Sequence, residues 1–203
     1  MGQSIAVISK PMPIDYQEES PFGNLLAQSL RRFTDSQVSI VNSGQLLEGL
    51  PAGEISEAML HERCPSPINP CVMKLSGQEI WDVLEQSLLP EYYNKEIYGY
   101  GFRGKVLGGI CVDGLDIIYD SQLPDYHKIL QVSVQGMPLD LKQEYRVGTL
   151  DMFTFGVGYE GLKAGREQSF VLPEFLRDLL KQELQIPGAV ENSFLQRWST
   201  PSM

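Results

Sequence analysis

The chain is poor in the residue types that build most hydrolytic and metal-bound sites. It has two histidines, His61 and His127, and three cysteines, Cys64, Cys71 and Cys111. An odd, sparse set of cysteines makes a poor disulfide framework and suits a reducing compartment. No run of about 18 apolar residues occurs, so no membrane-spanning helix is expected, and the first residues contain no long apolar stretch of the signal-peptide kind. Positive charge is also short: 16 Lys and Arg stand against 26 Asp and Glu, a formal net charge of −10. Nonspecific nucleic-acid binding relies on basic side chains that neutralise phosphates, so that class is excluded as a partner. There is no Gly-x-x-x-x-Gly-Lys-Ser/Thr loop, no Gly-x-Gly-x-x-Gly after a strand and no Gly-x-Ser-x-Gly elbow.

What the chain does have is enough length for a core. Its 203 residues, 42% hydrophobic and 21% charged, suit one large soluble domain that folds without metal or disulfides. "SIAVIS" (Ser4–Ser9) reads as a lead-in strand. "ESPFGNLLAQSLRRF" (Glu19–Phe33) opens on Ser-Pro and puts Phe22, Leu25, Leu26, Ser29, Leu30 and Phe33 on one helical face. Gln37–Asn42 reads as a strand and Gly53–Arg63 as a short helix. "CPSPINP" (Cys64–Pro70) is irregular, and Cys71–Leu75 is a strand. Ser76-Gly-Gln-Glu79 is a capping-box pattern ahead of a helix from Gly77 to Leu89. Glu91–Lys105 is a loop dense in Tyr and Gly. "GGICV" and "LDIIYD" are strand-like and meet at Asp113-Gly114, which permits a hairpin or a bulge in one long strand. Lys128–Asp140 gives a strand and a short return, and Glu144–Gly156 a strand running into an aromatic loop. Leu172–Leu184 reads as a helix with Pro173 at its start, and a mixed tail follows. Together these segments predict one α/β (mixed α+β) domain, with mixed-direction sheets flanked by helices.

Candidate sites are few. His61-x-x-Cys64 with Cys71 is the nearest approach to metal-ligand spacing, but three prolines separate the cysteines and argue against a compact site. Asp113, Asp116 and Asp120 do not fit a calcium loop and read as solvated strand and turn residues. "EYYNKEIYGYGF" reads either as a stacking platform for a ligand ring or as a loop packed over the sheet. Asn42-Ser-Gly44, at a strand end, either presents polar groups to a ligand or caps its own turn.

Several of these stretches, in order, resemble the C-terminal domain of the 5'-nucleotidases, the two-domain metal-dependent phosphohydrolases. Glu19-Ser-Pro-Phe-Gly-Asn24-Leu-Leu is similar to the segment that opens that domain. Asn42-Ser-Gly44 resembles its Asn-Gly-Gly turn, and Leu50–Ile55 the segment after it. Ile68–Leu88 resembles its strand and helix, Gly104–Asp120 its Val-Ser-Gly-Leu…Tyr-Asp strand, and Tyr145–Gly156 its last substrate strand. The resemblance implies a layered domain over residues 19–185, a lead-in strand and linker over 1–18, and a C-terminal tail over 186–203. It also implies that a metallophosphatase domain in cis, N-terminal to this segment, carries a divalent metal pair on His, Asp and Asn ligands. This chain itself would need no cofactor and hold no catalytic or metal-binding residue. Its part would be to bind a nucleotide-like or phosphate-ester ligand, and it would be inactive alone.

The pocket residues implied by the resemblance are Asn42, Gly44, Ser66, Asn69, Met152, Phe153 and Phe155. Leu46 and Leu47 stand where the family has a substrate-holding Arg, and Ser66 where it has a base-stacking Phe. Met152 aligns with the second stacking Phe, and Gly156-Val-Gly158-Tyr159 replaces the segment whose Asp holds the ribose. These departures imply a changed ligand, with Met152 either a stacking face or a core residue. A free-standing binding module with a diverged pocket is the competing expectation. An enzyme with its own chemistry would need a nucleophile–base pair, which two unpartnered histidines do not supply. The absence of a leader and the unpaired cysteines lead to an expected cytoplasmic location.

Overall fold

A computed structural model describes residues 2–202. The chain opens with β1 (Ser4–Ile8), α1 (Pro21–Thr34) and β2 (Val38–Asn42), and continues through β3 (Gly53–Ser56), α2 (Glu57–Arg63), β4 (Pro70–Ser76), α3 (Gly77–Ser87) and α4 (Pro90–Tyr93). Then come β5 (Ile110–Asp113), β6 (Leu115–Tyr119), β7 (Ile129–Val134), β8 (Met137–Pro138), β9 (Glu144–Leu150) and β10 (Arg166–Phe170). Helices α5 (Leu176–Leu184) and α6 (Ala189–Ser193) and the short β11 (Trp198–Ser199) end it.

Three sheets form among the described residues. The central one has the order β10-β4-β9-β2-β5, a second runs β11-β6-β7-β8, and β1 pairs with β3. The central sheet is mixed: β2 lies parallel to β9, while β4 lies antiparallel to β9 and β5 antiparallel to β2. This is the expected mixed α/β architecture. β2 is buried along its whole length, as its apolar run demands of an interior strand.

α1 lies against β2, β5 and β9 on one side and α5 and α6 on the other. Its buried surface is therefore wider than the single face its periodicity indicates. Asn24, Gln28 and Ser29 are buried with Phe22, Leu25, Leu26 and Leu30, and their polar atoms are taken up locally. Asn24 Nδ2 donates to the Ser193 carbonyl at 3.0 Å, and Gln28 Nε2 to the Ala189 carbonyl at 2.9 Å. The Ser20 hydroxyl accepts from Gly23 N, with Pro21 at the first helical position, as the Ser-Pro start indicates.

Three segments differ from the sequence expectation, and a fourth, β10, lies where none was assigned. Gly53–Ser56 is a strand rather than the first turn of a helix, because its backbone pairs with β1 and Ser56 becomes the N-cap of α2. β5 and β6 form neither a hairpin nor one strand. Gly114, at φ +81°, turns the chain out of the central sheet into the second. α5 begins at Leu176, three residues after Pro173, where the Asp178 carboxylate accepts from Phe175 N at 2.8 Å. β10 has no apolar periodicity; it is an exposed edge strand held against β4. The capping box of Ser76 and Glu79 is formed as expected.

Candidate functional site

The residues singled out in the sequence lie around one end of the central sheet. The turn after β2, the segment 64–69, the loop 94–109 and the 3-10 turn Asp151–Phe155 meet there. Asn42 is the last residue of β2 and is fully buried. Its Nδ2 donates to the Leu107 carbonyl at 2.7 Å, and its Oδ1 accepts from Gln45 Nε2 at 2.9 Å. Ser43 N bonds the Gly109 carbonyl at 2.8 Å and Gly44 N the Leu107 carbonyl at 3.1 Å. The Asn42 amide and the Ser43 and Gly44 backbone donors are thus spent on the loop that covers the turn, while the buried Ser43 hydroxyl has no partner among the described residues.

Gly44 is required by close approach. A Cβ there would collide with the Val106 and Leu107 carbonyls, and one at Gly104 would collide with the Gly44 carbonyl. Ser66 is also buried, and its hydroxyl accepts from Arg103 N at 2.9 Å, fastening the same loop. Asn69 works elsewhere. Its Nδ2 bonds the Glu174 carbonyl at 2.8 Å ahead of α5, and its carbonyl accepts from Asp151 N at 3.0 Å. Burial raises the Asp151 carboxyl above its ordinary value, with bonds from the Asn69 and Met152 backbones opposing that rise.

Of the three apolar residues in the aromatic turn, two face inward. Met152 and Phe153 are buried, the Met152 sulfur lying 3.2 Å from Gln45 Nε2. The Phe153 ring meets Tyr159 edge-on at 6.1 Å. Tyr159 in turn stacks on Tyr92 at 5.7 Å and donates to the Gly108 carbonyl at 2.8 Å. Burial drives the Tyr159 phenol well above its ordinary value, so it remains a hydrogen-bond donor. Leu107 fills the space beside Gly158, where any Cβ would meet its methyl groups.

Phe155 is different. It is 60% exposed and stacks on Tyr100, itself 58% exposed, with centroids 5.9 Å apart and planes at 25°. Next to Tyr100 in the chain, Gly101 packs beside Pro67. Arg103 and Lys105 follow, both exposed and neither in an ion pair among the described residues. The structure therefore brings Gly44, Ser66 and Phe155 around one loop, with Asn42, Met152 and Phe153 beneath it. Arg103 and Lys105 were not singled out in the sequence. The cue was available in "GYGFRGK", where two cations follow the aromatic run in an acidic chain.

No metal centre is built here. Among the described residues no three His, Cys, Asp or Glu side chains stand together as ligands. His61 is exposed, while Cys64 is buried, its thiol pushed up to about 12 by burial. A thiol held protonated in this way makes a poor ligand and a poor nucleophile. No helix is long and apolar enough to cross a membrane among the described residues.

A surface of exposed rings and unpaired cations can stack a planar group and neutralise an anion; it offers no group for bond cleavage. Comparison with known proteins agrees with the fold and places the chain in a family. A protein described as an uncharacterized metallophosphoesterase, YunD of Bacillus subtilis (strain 168), is 30% identical over 184 residues, covering 91% of this chain and 40% of YunD. The 5'-nucleotidase precursor of Thermus thermophilus superposes with a TM-score of 0.74 at 23% identity, over 98% of this chain and 39% of its own. The NAD nucleotidase of Haemophilus influenzae does so with a TM-score of 0.75 at 14% identity, over 98% and 38%. This chain thus spans about 40% of the length of the curated relative it matches. The family model "5'-nucleotidase, C-terminal domain" matches residues 4–164, and the chain belongs to that family.

Proposed function

We propose that this chain is the ligand-recognition half of a nucleotidase-like phosphoric ester hydrolase, whose metal-bearing catalytic domain lies in cis outside it. The observation that carries this reading is the exposed Tyr100–Phe155 pair, with the exposed Arg103 and Lys105 following Tyr100 in the same loop, on a protein of net charge −10. Exposed rings stack planar bases with little regard to sequence. Two unpaired cations in the same loop favour a phosphate, and a guanidinium can grip one through two parallel bonds. The ligand class is a nucleotide or a related phosphate ester with a planar group. Arg103 and Lys105 take over the charge that the family places near the turn now occupied by Leu46 and Leu47. Asn42, Gly44 and Ser66 act on the ligand only through the loop, by holding Arg103 and Leu107 in place. Asn69, Met152 and Phe153 support the same face from below.

The chain's own residues bind and orient; the residues present do not fit a metal pair, and no hydrolytic step is assigned to them. A free-standing binding module is the second reading. The closure of the Asn42 turn by the Leu107 carbonyl favours it, since the family's polar turn is no longer open to a ligand. Three buried, unpaired thiols suit a reducing compartment under either reading.

Calorimetric titration of the chain with 5'-nucleotides, nucleosides and sugar phosphates tests the recognition role. Nucleotides are expected to bind saturably, and Y100A/F155A to weaken them about tenfold or more, as loss of ring stacking implies. R103A/K105A should weaken nucleotides while leaving nucleosides unchanged. No saturable binding to any phosphate ester would overturn the reading. Turnover by this chain alone with a divalent metal would overturn its non-catalytic part.

A further inference from the structure

The strongest feature outside the loop face is a cleft between the start of α1 and the C-terminal segment. It has a volume of about 280 Å³ and is lined by Glu18, Glu19, Tyr119, Phe194, Gln196 and Trp198, with the first turn of α1 closing it. A smaller hollow beside it shares Glu18, Glu19, Tyr119 and Trp198. We propose that this cleft is a binding site for a small organic cation, an ammonium group on a short alkyl chain. The site is separate from the loop face and is claimed by no part of the reading above.

Three observations support it. First, the rings are arranged to offer their faces and edges to one small volume. Trp198 meets Tyr119 edge-on, with centroids 5.7 Å apart and planes at 88°. Phe194 already holds a cation of the chain, Lys10 Nζ at 3.7 Å from its centroid, so Tyr119 and Trp198 are the rings left to a ligand. Aromatic faces bind ammonium through the ring quadrupole, and the interaction strengthens where water is partly excluded.

Second, the charge is negative and held in place. The Glu19 carboxylate accepts from Asn24 Nδ2 at 3.0 Å, Arg197 N at 2.6 Å and Trp198 N at 3.1 Å. Glu18 is exposed, and its carboxylate has no partner among the described residues. No Lys or Arg lines the cleft. Burial, together with the two carboxylates, raises the Tyr119 phenol, consistent with a negative field over the ring.

Third, the competing occupant is disfavoured. A helix start ordinarily favours an anion, but the first-turn donors of α1 are spent. Pro21 has no N–H, Phe22 N bonds the Pro13 carbonyl at 3.3 Å, Gly23 N bonds the Ser20 hydroxyl at 3.2 Å, and Asn24 N bonds the Ser20 carbonyl at 2.9 Å. An anion entering the cleft would find no free backbone donor on the first turn of α1 and would meet the Glu18 and Glu19 carboxylates.

The chain has two tryptophans, Trp81 and Trp198, so in a Trp81→Phe background the fluorescence reports on the cleft. The probes are choline and its uncharged tert-butyl isostere. Choline is expected to give a saturable change and the isostere none. Glu18→Gln should weaken choline about threefold and Tyr119→Leu about tenfold, as loss of one carboxylate or one ring face implies. Saturation-transfer NMR of the choline methyl protons on the unmodified chain gives a second reading if Trp81→Phe does not fold. No saturation up to about 50 mM, a range that covers weak sites, or an equal response to both probes would overturn the proposal. Neither outcome depends on whether the Tyr100–Phe155 face binds nucleotides.

Discussion

At the scale of single residues, the Asn-Ser-Gly turn shows how a polar motif can serve the fold. Asn42 has one donor on Leu107 and one acceptor on Gln45, and both lie in the interior. Removing the buried amide takes one bond from the Leu107 carbonyl, which keeps Gly44 N, and leaves Gln45 Nε2 only the Met152 sulfur, a loss of about 1–3 kcal/mol. Asn42→Ala is therefore expected to lower stability by that amount in urea unfolding and to speed amide exchange at Gly44 and Gly109, whose neighbours it fastens. Gly44→Ala should destabilise more, by about 2–4 kcal/mol, because the colliding atoms are backbone carbonyls that cannot swing aside. Equal stability of both variants and the unmodified chain in urea would contradict this account of the turn.

Among the elements, α3 and β10 are coupled by one carboxylate. Glu79 closes the capping box by accepting from Ser76 N at 2.7 Å, and it also pairs with Arg166 of β10 at 2.9 Å. The bonds from Arg166, and with them the bond from Ser76 N, hold the Glu79 carboxyl below its ordinary 4.5. A carboxyl depressed in the folded state adds stability that is complete above its unfolded value and is lost as pH falls through the folded value. Glu79→Gln keeps the shape of the cap and removes the charge. Stability followed between about pH 5 and pH 3 should thus fall less steeply in Glu79→Gln than in the unmodified chain. The same pair explains why β10, without a buried side chain, stays on the sheet: its first residue is tied to the helix that follows β4.

For the molecule as a whole, the last segment closes the fold. Arg197 is buried; its guanidinium donates to Gln28 Oε1 at 2.7 Å, Asp113 Oδ1 at 3.1 Å and the Asn192 carbonyl at 2.9 Å. It joins α1, the corner between the two larger sheets and α6 at one point, while β11 adds a parallel strand beside β6. Arg197→Met keeps most of the volume but removes the charge. Asp113 retains Arg31 at 3.2 Å, so the expected loss is about 2–3 kcal/mol, below that of a fully stranded buried ion. A shift of the urea midpoint with an unchanged slope would show that stability, and not the extent of the folded core, has changed.

The sequence by itself determined what local chemistry controls: the Ser-Pro start of α1, the capping box of α3, the interior strand β2, and the order of motifs that resembles the 5'-nucleotidase C-terminal domain. It also showed which local motifs the chain lacks, because such motifs are contiguous in sequence. What it left open depended on partners distant in the chain. Gly53–Ser56 is a strand because β1 lies beside it, and β10 is one because β4 does. Whether Asn42 and Met152 face a ligand or the core depended on where the loop 94–109 comes to rest, and that is set by contacts from Leu107, Gly104 and Arg103. The tertiary structure alone decided that Phe155 and Tyr100 are the exposed rings, since burial is a property of packing and composition does not encode it.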